Sequence, residues 1–417
     1  MKSMTQGGLN ESPWKKGKSP RVKTEVTGGR MNLREESPFA TKEQELLLQA
    51  AHLKGADAMT ALREWKLRVD FESDLDLSSY RLLPLLYTNL LRNNIDDQYM
   101  NRLKGIYRRN WYENQKLFHH ISRIVRYLQD AGMRIILLKG AALTLLYYKN
   151  YGVRPMADID VLVPFSQAPA TINLLKDAGW QTVSGSMGDA LRYSHSRPFY
   201  DHTGMVLDLH WHLLVETCCA GPAANFEDSA VPVRLNDVGT YALNPTDTLL
   251  HVIVHGVRGE DNIRWIPDAL SIIHSAGPGI DWPRITAVAK EYRVVLRVKK
   301  ALNYLYDKFQ AGIPEPVMTS INQLPVSRLE HMEYRYMMGD DEDHTGTLLG
   351  GFPLYLSEYL RLSYREGWFA KIGGLPGYLE YKMHHNSFPQ LIFYLIQRSL
   401  RIMKKKLPPH PVDFSRP

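Results

Sequence analysis

The stretch 154-RPMADIDVLV-163 reads as a strand bound for a core, except for two aspartates one residue apart. In an extended strand alternate residues face the same side. Asp158 and Asp160 therefore project together, while Ile159 and Val161 turn the other way into apolar surroundings. Carboxylates this close repel each other unless something positive lies between them. A divalent metal meets that need, and hard oxygen ligands suit Mg²⁺ or Mn²⁺. The competing reading is an edge-strand pair that merely salt-bridges Arg154 or Lys139, and the apolar flanks argue against an exposed edge. On this argument, removing Asp160 should relieve repulsion in the metal-free protein and leave the fold intact.

A third acid stands in 206-VLDLHWHL-213, where alternation puts Asp208, His210 and His212 on one face and Leu207, Leu209, Trp211 and Leu213 on the other. If this strand lies beside the first, Asp208 completes a three-carboxylate cluster able to hold two metal ions. Such a pair clamps the attacking and leaving oxygens of a phosphoryl displacement. A helix cap or surface acid is the plainer reading of Asp208. For His210 and His212, structural histidines are favoured over groups that back the carboxylates or act as a base. A phosphate site is the missing half, and 137-LLKGAALTLL-146 supplies a candidate. A strand ending at Lys139 would hand over to a helix from Ala141, with Gly140 allowing close backbone approach and free N–H groups aimed at an anion. Lys139 adds a point charge and Arg154 a bidentate fork.

Gly140, a short helix, the Asp-Ile-Asp strand and a later strand bearing a third Asp together resemble the DNA polymerase β-like nucleotidyltransferase superfamily. More narrowly, LLKGAAL, YYKNYGVRPMADIDVLV, LDLHWHL, PTDTLLHVIVHG and RWIPDAL resemble a bacterial family of uncharacterised nucleotidyltransferases. The core motifs cover about residues 133 to 215, and a weaker helical match runs to about 275. The resemblance implies that Asp158 and Asp160 are metal ligands and that Asp208 is the third carboxylate, which activates the acceptor hydroxyl. It aligns Gly140 with the glycine of a Gly-Ser loop, but Ala141 stands where the serine would be, so the grip on the triphosphate is left open. The implied reaction moves a nucleoside monophosphate from a nucleoside triphosphate to a hydroxyl or phosphate acceptor and releases pyrophosphate. An alternative of another class is a catalytically silent nucleotide-binding or protein-interaction module, antitoxin-like in kind.

The surroundings read as helical. Thr41 is a candidate N-cap before 42-KEQELLLQAA-51, with Glu43 and Glu45 at the positive end of the dipole. A long helical pattern stops at Gly132, and helical patterns return after about residue 240. The expected fold is therefore α+β, a small mixed sheet at 131–238 flanked by an N-terminal helical module at 31–130 and a C-terminal one at 239–417. Residues 1–30 are rich in Gly, Ser, Pro and Lys and read as a disordered basic tail. The tail carries +5 of the formal charge of +7, which leaves +2 for all that follows. Net charge thus gives no case for nucleic acid, and 107-YRRNWYENQK-116 is the one basic and aromatic cluster of note. The sequence before Met31 has codons compatible with a ribosome-binding site, so translation is expected to start at Met31, and an intact mass beginning at Met1 would contradict this.

Two adjacent cysteines, Cys218 and Cys219, cannot close an ordinary loop and read as small, partly buried hydrophobes in a reducing compartment. With no membrane-length apolar run and no secretory leader, the expected location is the cytoplasm. His251 and His255 are four apart, as in some zinc sites, but no acid at the usual spacing completes a ligand set. Asp268 in RWIPDAL is expected to bond a neighbouring basic group or backbone. The segment 388-FPQLIFYLIQRSLRIMKKKLPP-409 is expected to pack on the protein rather than lie on a membrane. Oligomeric state and the acceptor are not legible.

Overall fold

Thr41 opens the first helix as its sequence predicts. In the computed structural model, which describes residues 39–72, 75–183, 185–218, 226–258, 263–338, 352–363 and 367–383, its Oγ1 accepts from the Gln44 N–H at 3.2 Å. The Gln44 Oε1 accepts in return from the Thr41 N–H at 3.1 Å. That reciprocal cap satisfies two amides that α1 (Lys42–His52) would otherwise leave bare. Helices α2 (Gly55–Arg68), α3 (Leu77–Tyr80) and α4 (Leu83–Arg92) follow, then α5 (Met100–Asp130), 31 residues long. Gly132, at φ +82°, turns the chain out of α5, a conformation that costs glycine little.

The sheet then assembles from β1 (Ile136–Leu137), β2 (Asp158–Leu162), β3 (Gln181–Thr182), β4 (Ser196–Tyr200), β5 (Val206–His210), β6 (Val231–Leu235) and β7 (Val238–Ala242). Their order is β3-β4-β5-β2-β1-β7-β6. Strand β2 runs parallel to β5 and β1 parallel to β7, while the other neighbours are antiparallel. Connecting helices are α6 (Lys139–Leu143), which continues into a π-helical turn at Thr144–Tyr148, α7 (Ala168–Asp177) and α8 (Met187–Tyr193). After the sheet the described residues form α9 (Pro245–Gly256), α10 (Trp265–Ala276), α11 (Trp282–Glu291), α12 (Val295–Phe309), α13 (Glu315–Asn322), α14 (Arg328–Met338), α15 (Phe352–Leu362) and α16 (Trp368–Met383). The α+β expectation, a mixed sheet between helical stretches, is what the structure has.

Alternation along the central strands builds two cores. Ile159, Val161, Leu207 and Leu209 meet Phe118, Ile121 and Val125 of α5 and Ile172 and Leu175 of α7. On the other face Ile136, Leu138 and Leu162 meet Leu249 and Ile253 of α9 and Ile266 and Leu270 of α10. Each such fully buried side chain contributes about 1.5–3 kcal/mol by leaving water. The second core also contains α1, α2 and α4. Phe39 stands edge-on to Trp265 and Tyr304 with ring centroids 5.2 and 5.1 Å away, so the helices before and after the sheet pack as one body. Asp158, Asp160 and Asp208 share a sheet face with Leu162 and so look toward α9 and α10.

Strands β3, β4, β6 and β7 were not anticipated. β4 and β6 contain Pro198 and Pro232, which depart from the usual strand pattern, and one inward position of β4 is the charged Arg197. Among the described residues no helix is long and apolar enough to cross a membrane. The basic tail, Met31, Cys219 and the 388–409 segment lie outside the described residues. Cys218 is half-buried, its Sγ 3.7 Å from the Leu214 carbonyl oxygen.

Candidate functional site

The two aspartate strands are neighbours, and register puts Asp160 directly opposite Asp208 on parallel β2 and β5. His210 follows Asp208 by two residues, so it faces the same way. Its Nε2 lies 3.0 Å from Asp208 Oδ2 and 3.2 Å from Asp160 Oδ1. Asp160, Asp208 and His210 form the one group of three potential metal ligands among the described residues, with their ligating atoms within 4.8 Å of one another. Lys139 Nζ reaches Asp160 Oδ1 at 2.5 Å, and the Ser196 hydroxyl donates to Asp208 Oδ2 at 3.3 Å. Asp208 Oδ1 and His210 Nδ1 are buried without a hydrogen-bond partner among the described residues.

The paired aspartates differ in their electrostatics. Burial favours the protonated form of Asp160, but the His210 hydrogen bond and the Lys139 ammonium outweigh it and hold the carboxyl far below its ordinary range. Asp158 sits at the exposed mouth of the site. There desolvation, and after it the charge of Asp160, push its carboxyl up. Burial works against protonating His210, yet its bonds to Asp160 and Asp208 win and raise its pKa. His195, whose ring centroid is 5.3 Å from that of His210, is pushed well down by burial and then by His210. Losing Asp160 would relieve its repulsion of Asp158, as expected, but would also strand Lys139 and His210, so the fold would not be left untouched. Asp158 is the carboxylate under strain.

Lys139 and Gly140 form the predicted turn between strand and helix, with one change. α6 begins at Lys139 itself, which takes φ +41°, a left-handed conformation that costs a non-glycine residue about 1 kcal/mol. That twist carries its side chain back over β2. Gly140 is needed for space: a Cβ there would come within 2.5 Å of Arg154 Nη1 and 2.7 Å of Met156 Sδ. Arg154 does not hang free as a fork. Its Nε and Nη2 donate to Asp268 Oδ1 and Oδ2 at 3.0 and 2.9 Å, and the Tyr148 hydroxyl donates to the same carboxylate at 2.9 Å. Asp268 thus has the basic partner expected of it.

His212 does not join the cluster. The N–H groups of Trp211 and His212 both donate to the His195 carbonyl oxygen, a bulge that ends the alternation just past β5. Its ring stacks on Phe165 at 5.1 Å, and burial lowers its pKa to about 4. His251 and His255 stand with ring centroids 5.8 Å apart on α9, and no group of three ligands among the described residues includes them. In the basic and aromatic cluster of α5, Tyr107, Asn110 and Asn114 bind the 150–154 loop, while Arg108, Arg109, Trp111 and Tyr112 face outward. Sequence reasoning missed Arg81 and Arg264, which approach the same region. Arg264 stood inside RWIPDAL, and its helical setting masked it.

Asp160, Asp208 and His210 could hold a divalent ion: the donors are clustered, two are carboxylates, and Asp208 Oδ1 is buried without a hydrogen-bond partner among the described residues. No curated protein matches this chain. Among solved structures, an antigenic nucleotidyltransferase-like protein from Paracoccidioides brasiliensis aligns at 17% identity over 51% of this chain and 94% of its own, with a TM-score of 0.34. A family model described as uncharacterised nucleotidyltransferase matches residues 77–309, more than half of the 417, and the chain therefore belongs to that family.

Proposed function

We propose that this protein is a metal-dependent nucleotidyltransferase of the DNA polymerase β-like kind, moving a nucleoside monophosphate from a nucleoside triphosphate to a hydroxyl or phosphate acceptor. The observation that carries the reading is the register of Asp160 against Asp208 on adjacent parallel strands, with Asp158 two residues earlier on the same face. Asp158, Asp160 and Asp208 would hold Mg²⁺ or Mn²⁺, which supplies positive charge to the phosphoryl group in transfer. His210 backs Asp160 and Asp208 and fixes their orientation. Lys139 offers a cation to the phosphates, either on Asp160 as now or swung outward. Asp208 takes the proton of the acceptor hydroxyl. The acceptor oxygen bonds to the α-phosphorus, the bond from that phosphorus to the bridging oxygen breaks, and pyrophosphate leaves with the electron pair.

A second reading draws on the Lys139 contact, because Lys139 and His210 already neutralise Asp160. A site so balanced suits a module that binds nucleotide without turning it over. One experiment separates the two: thermal unfolding of the wild type and of Asp158→Asn/Asp160→Asn with each nucleoside triphosphate, with and without Mg²⁺. A ligand at about 100 times its Kd adds roughly 2.7 kcal/mol to the native state. Stabilisation of the wild type alone, and only with metal, supports the transferase. Metal-independent stabilisation supports the silent module, and no shift with any nucleotide removes both.

A further inference from the structure

Across Gly140 from Lys139 is a narrow crevice of about 10 Å³, lined by Arg81, Tyr148, Arg154, Pro155, Arg264 and Asp268, among others. Its three arginines come from distant segments: Arg81 just before α4, Arg154 before β2, and Arg264 before α10. One carboxylate, Asp268, stands among them. It spends both oxygens on Arg154 Nε and Nη2 and accepts from Tyr148 as well. Arg154 Nη1 is left over Gly140 with no partner among the described residues. Arg264 uses Nη1 on the Pro155 carbonyl oxygen at 2.8 Å and makes no other side-chain bond among those residues, and Arg81 makes none. Three guanidinium groups thus surround one directly bonded carboxylate, while Asp158 and Asp160 act on them only through space. The crowding is felt at Arg264, whose pKa is lowered to about 10 by burial first and by Arg154 next.

We propose that Arg81, Arg154 and Arg264 grip the terminal phosphates of the nucleoside triphosphate, in addition to what the serine-less Lys139-Gly140-Ala141 turn offers. The inference rests on the nucleotidyltransferase reading and specifies where that reading puts the phosphate tail. Position favours it. Arg154 Nη1 lies across Gly140, next to the lysine that holds Asp160, and the charge of Asp158 acts on Arg264. A triphosphate with its α-phosphorus at the aspartates would have the arginine rim of this crevice within reach of its tail. Guanidinium also suits the task, because its planar fork matches phosphate oxygens and it keeps its charge when half-buried. Asp268 and Tyr148 are then positioning residues, which fix Arg154 through two of its nitrogens and leave the third for the ligand.

The test uses inorganic tripolyphosphate with EDTA present, so that the metal site takes no part, and isothermal titration of the full chain. The wild type should bind, and Asp160→Asn should bind at least as tightly. Arg81→Gln and Arg264→Gln should each weaken binding about tenfold or more, with Arg81→Lys falling between Arg81→Gln and the wild type, and a nucleoside triphosphate should displace the tripolyphosphate. No binding by the wild type, undiminished binding by both Gln variants, or no displacement would each overturn the proposal. Should Arg264→Gln unfold, Arg81→Gln decides, since its side chain bonds to nothing among the described residues. Failure of the catalytic reading looks different: tripolyphosphate still binds through the arginines, but Mg²⁺ adds nothing to nucleotide binding.

Discussion

Asp158 and Asp160 are the same amino acid on the same strand face, yet their surroundings give them opposite roles. Asp160 is 5% exposed and held by Lys139 and His210, whereas Asp158 is open to solvent and crowded by its neighbour. Asp160→Asn should therefore cost about 3 kcal/mol in urea unfolding of the metal-free protein, because it leaves a buried histidine and an ammonium poorly paired. Asp158→Asn should be neutral or slightly stabilising. Equal losses in the two variants would contradict the asymmetry. Both should abolish turnover if the proposed reaction is right. The sequence showed this pair plainly, since period-two alternation is a local property. It could not show the asymmetry, because Lys139 acts through a left-handed backbone twist and His210 lies fifty residues away. The same limit explains His212: strict alternation put it beside Asp208, and a bulge at the His195 carbonyl turned it away.

Among the elements, α5 does more than cover the sheet. Tyr107, Asn110 and Asn114 bind the loop that delivers β2. Asn114 donates to the carbonyl oxygens of Tyr151 and Arg154 at 2.6 and 2.8 Å, and Gly152 passes so close to the Tyr107 ring that a Cβ there would clash. The helix thereby sets where Arg154 and the aspartates begin. Asn114→Ala should cost about 2 kcal/mol of stability by leaving both carbonyls unpaired. It should also reduce the stabilisation by nucleoside triphosphate and Mg²⁺, because the loop shifts; a thermal scan in which stability falls and the ligand shift stays whole would separate α5 from the site. Sequence texture found α5 and its end at Gly132, for a 31-residue amphipathic pattern leaves little choice. The helix's grip on the loop was hidden, since YRRNWYENQK read as surface.

Across the molecule, α1 and α12 meet in one core, with the Tyr304 hydroxyl donating to Glu45 Oε1 at 3.1 Å and the His52 ring edge-on to Phe309. Burial, and after it His274, lower the His52 pKa from 6.5 to about 4. The folded state therefore binds this proton less readily than the unfolded chain does. Stability from the neutral ring is complete above about pH 6.5 and is lost as pH falls toward 4. His52→Phe should show a shallower fall in Tm across that window than the wild type. Other buried histidines titrate in both proteins and cancel in the comparison, so equal slopes would sink the assignment. Packing between such distant helices left no mark in the sequence, where each stretch looked like a module of its own. Phe39 waits for Trp265 and Tyr304, more than two hundred positions later in the chain. On a ribosome, the first helices emerge long before the rings that cover them are made. A chain cut short before residue 304 would thus keep α1 packed on α2 and α4 but leave the rest of its apolar surface, with one side of Phe39, uncovered, making it prey for chaperones and proteases rather than a smaller working protein.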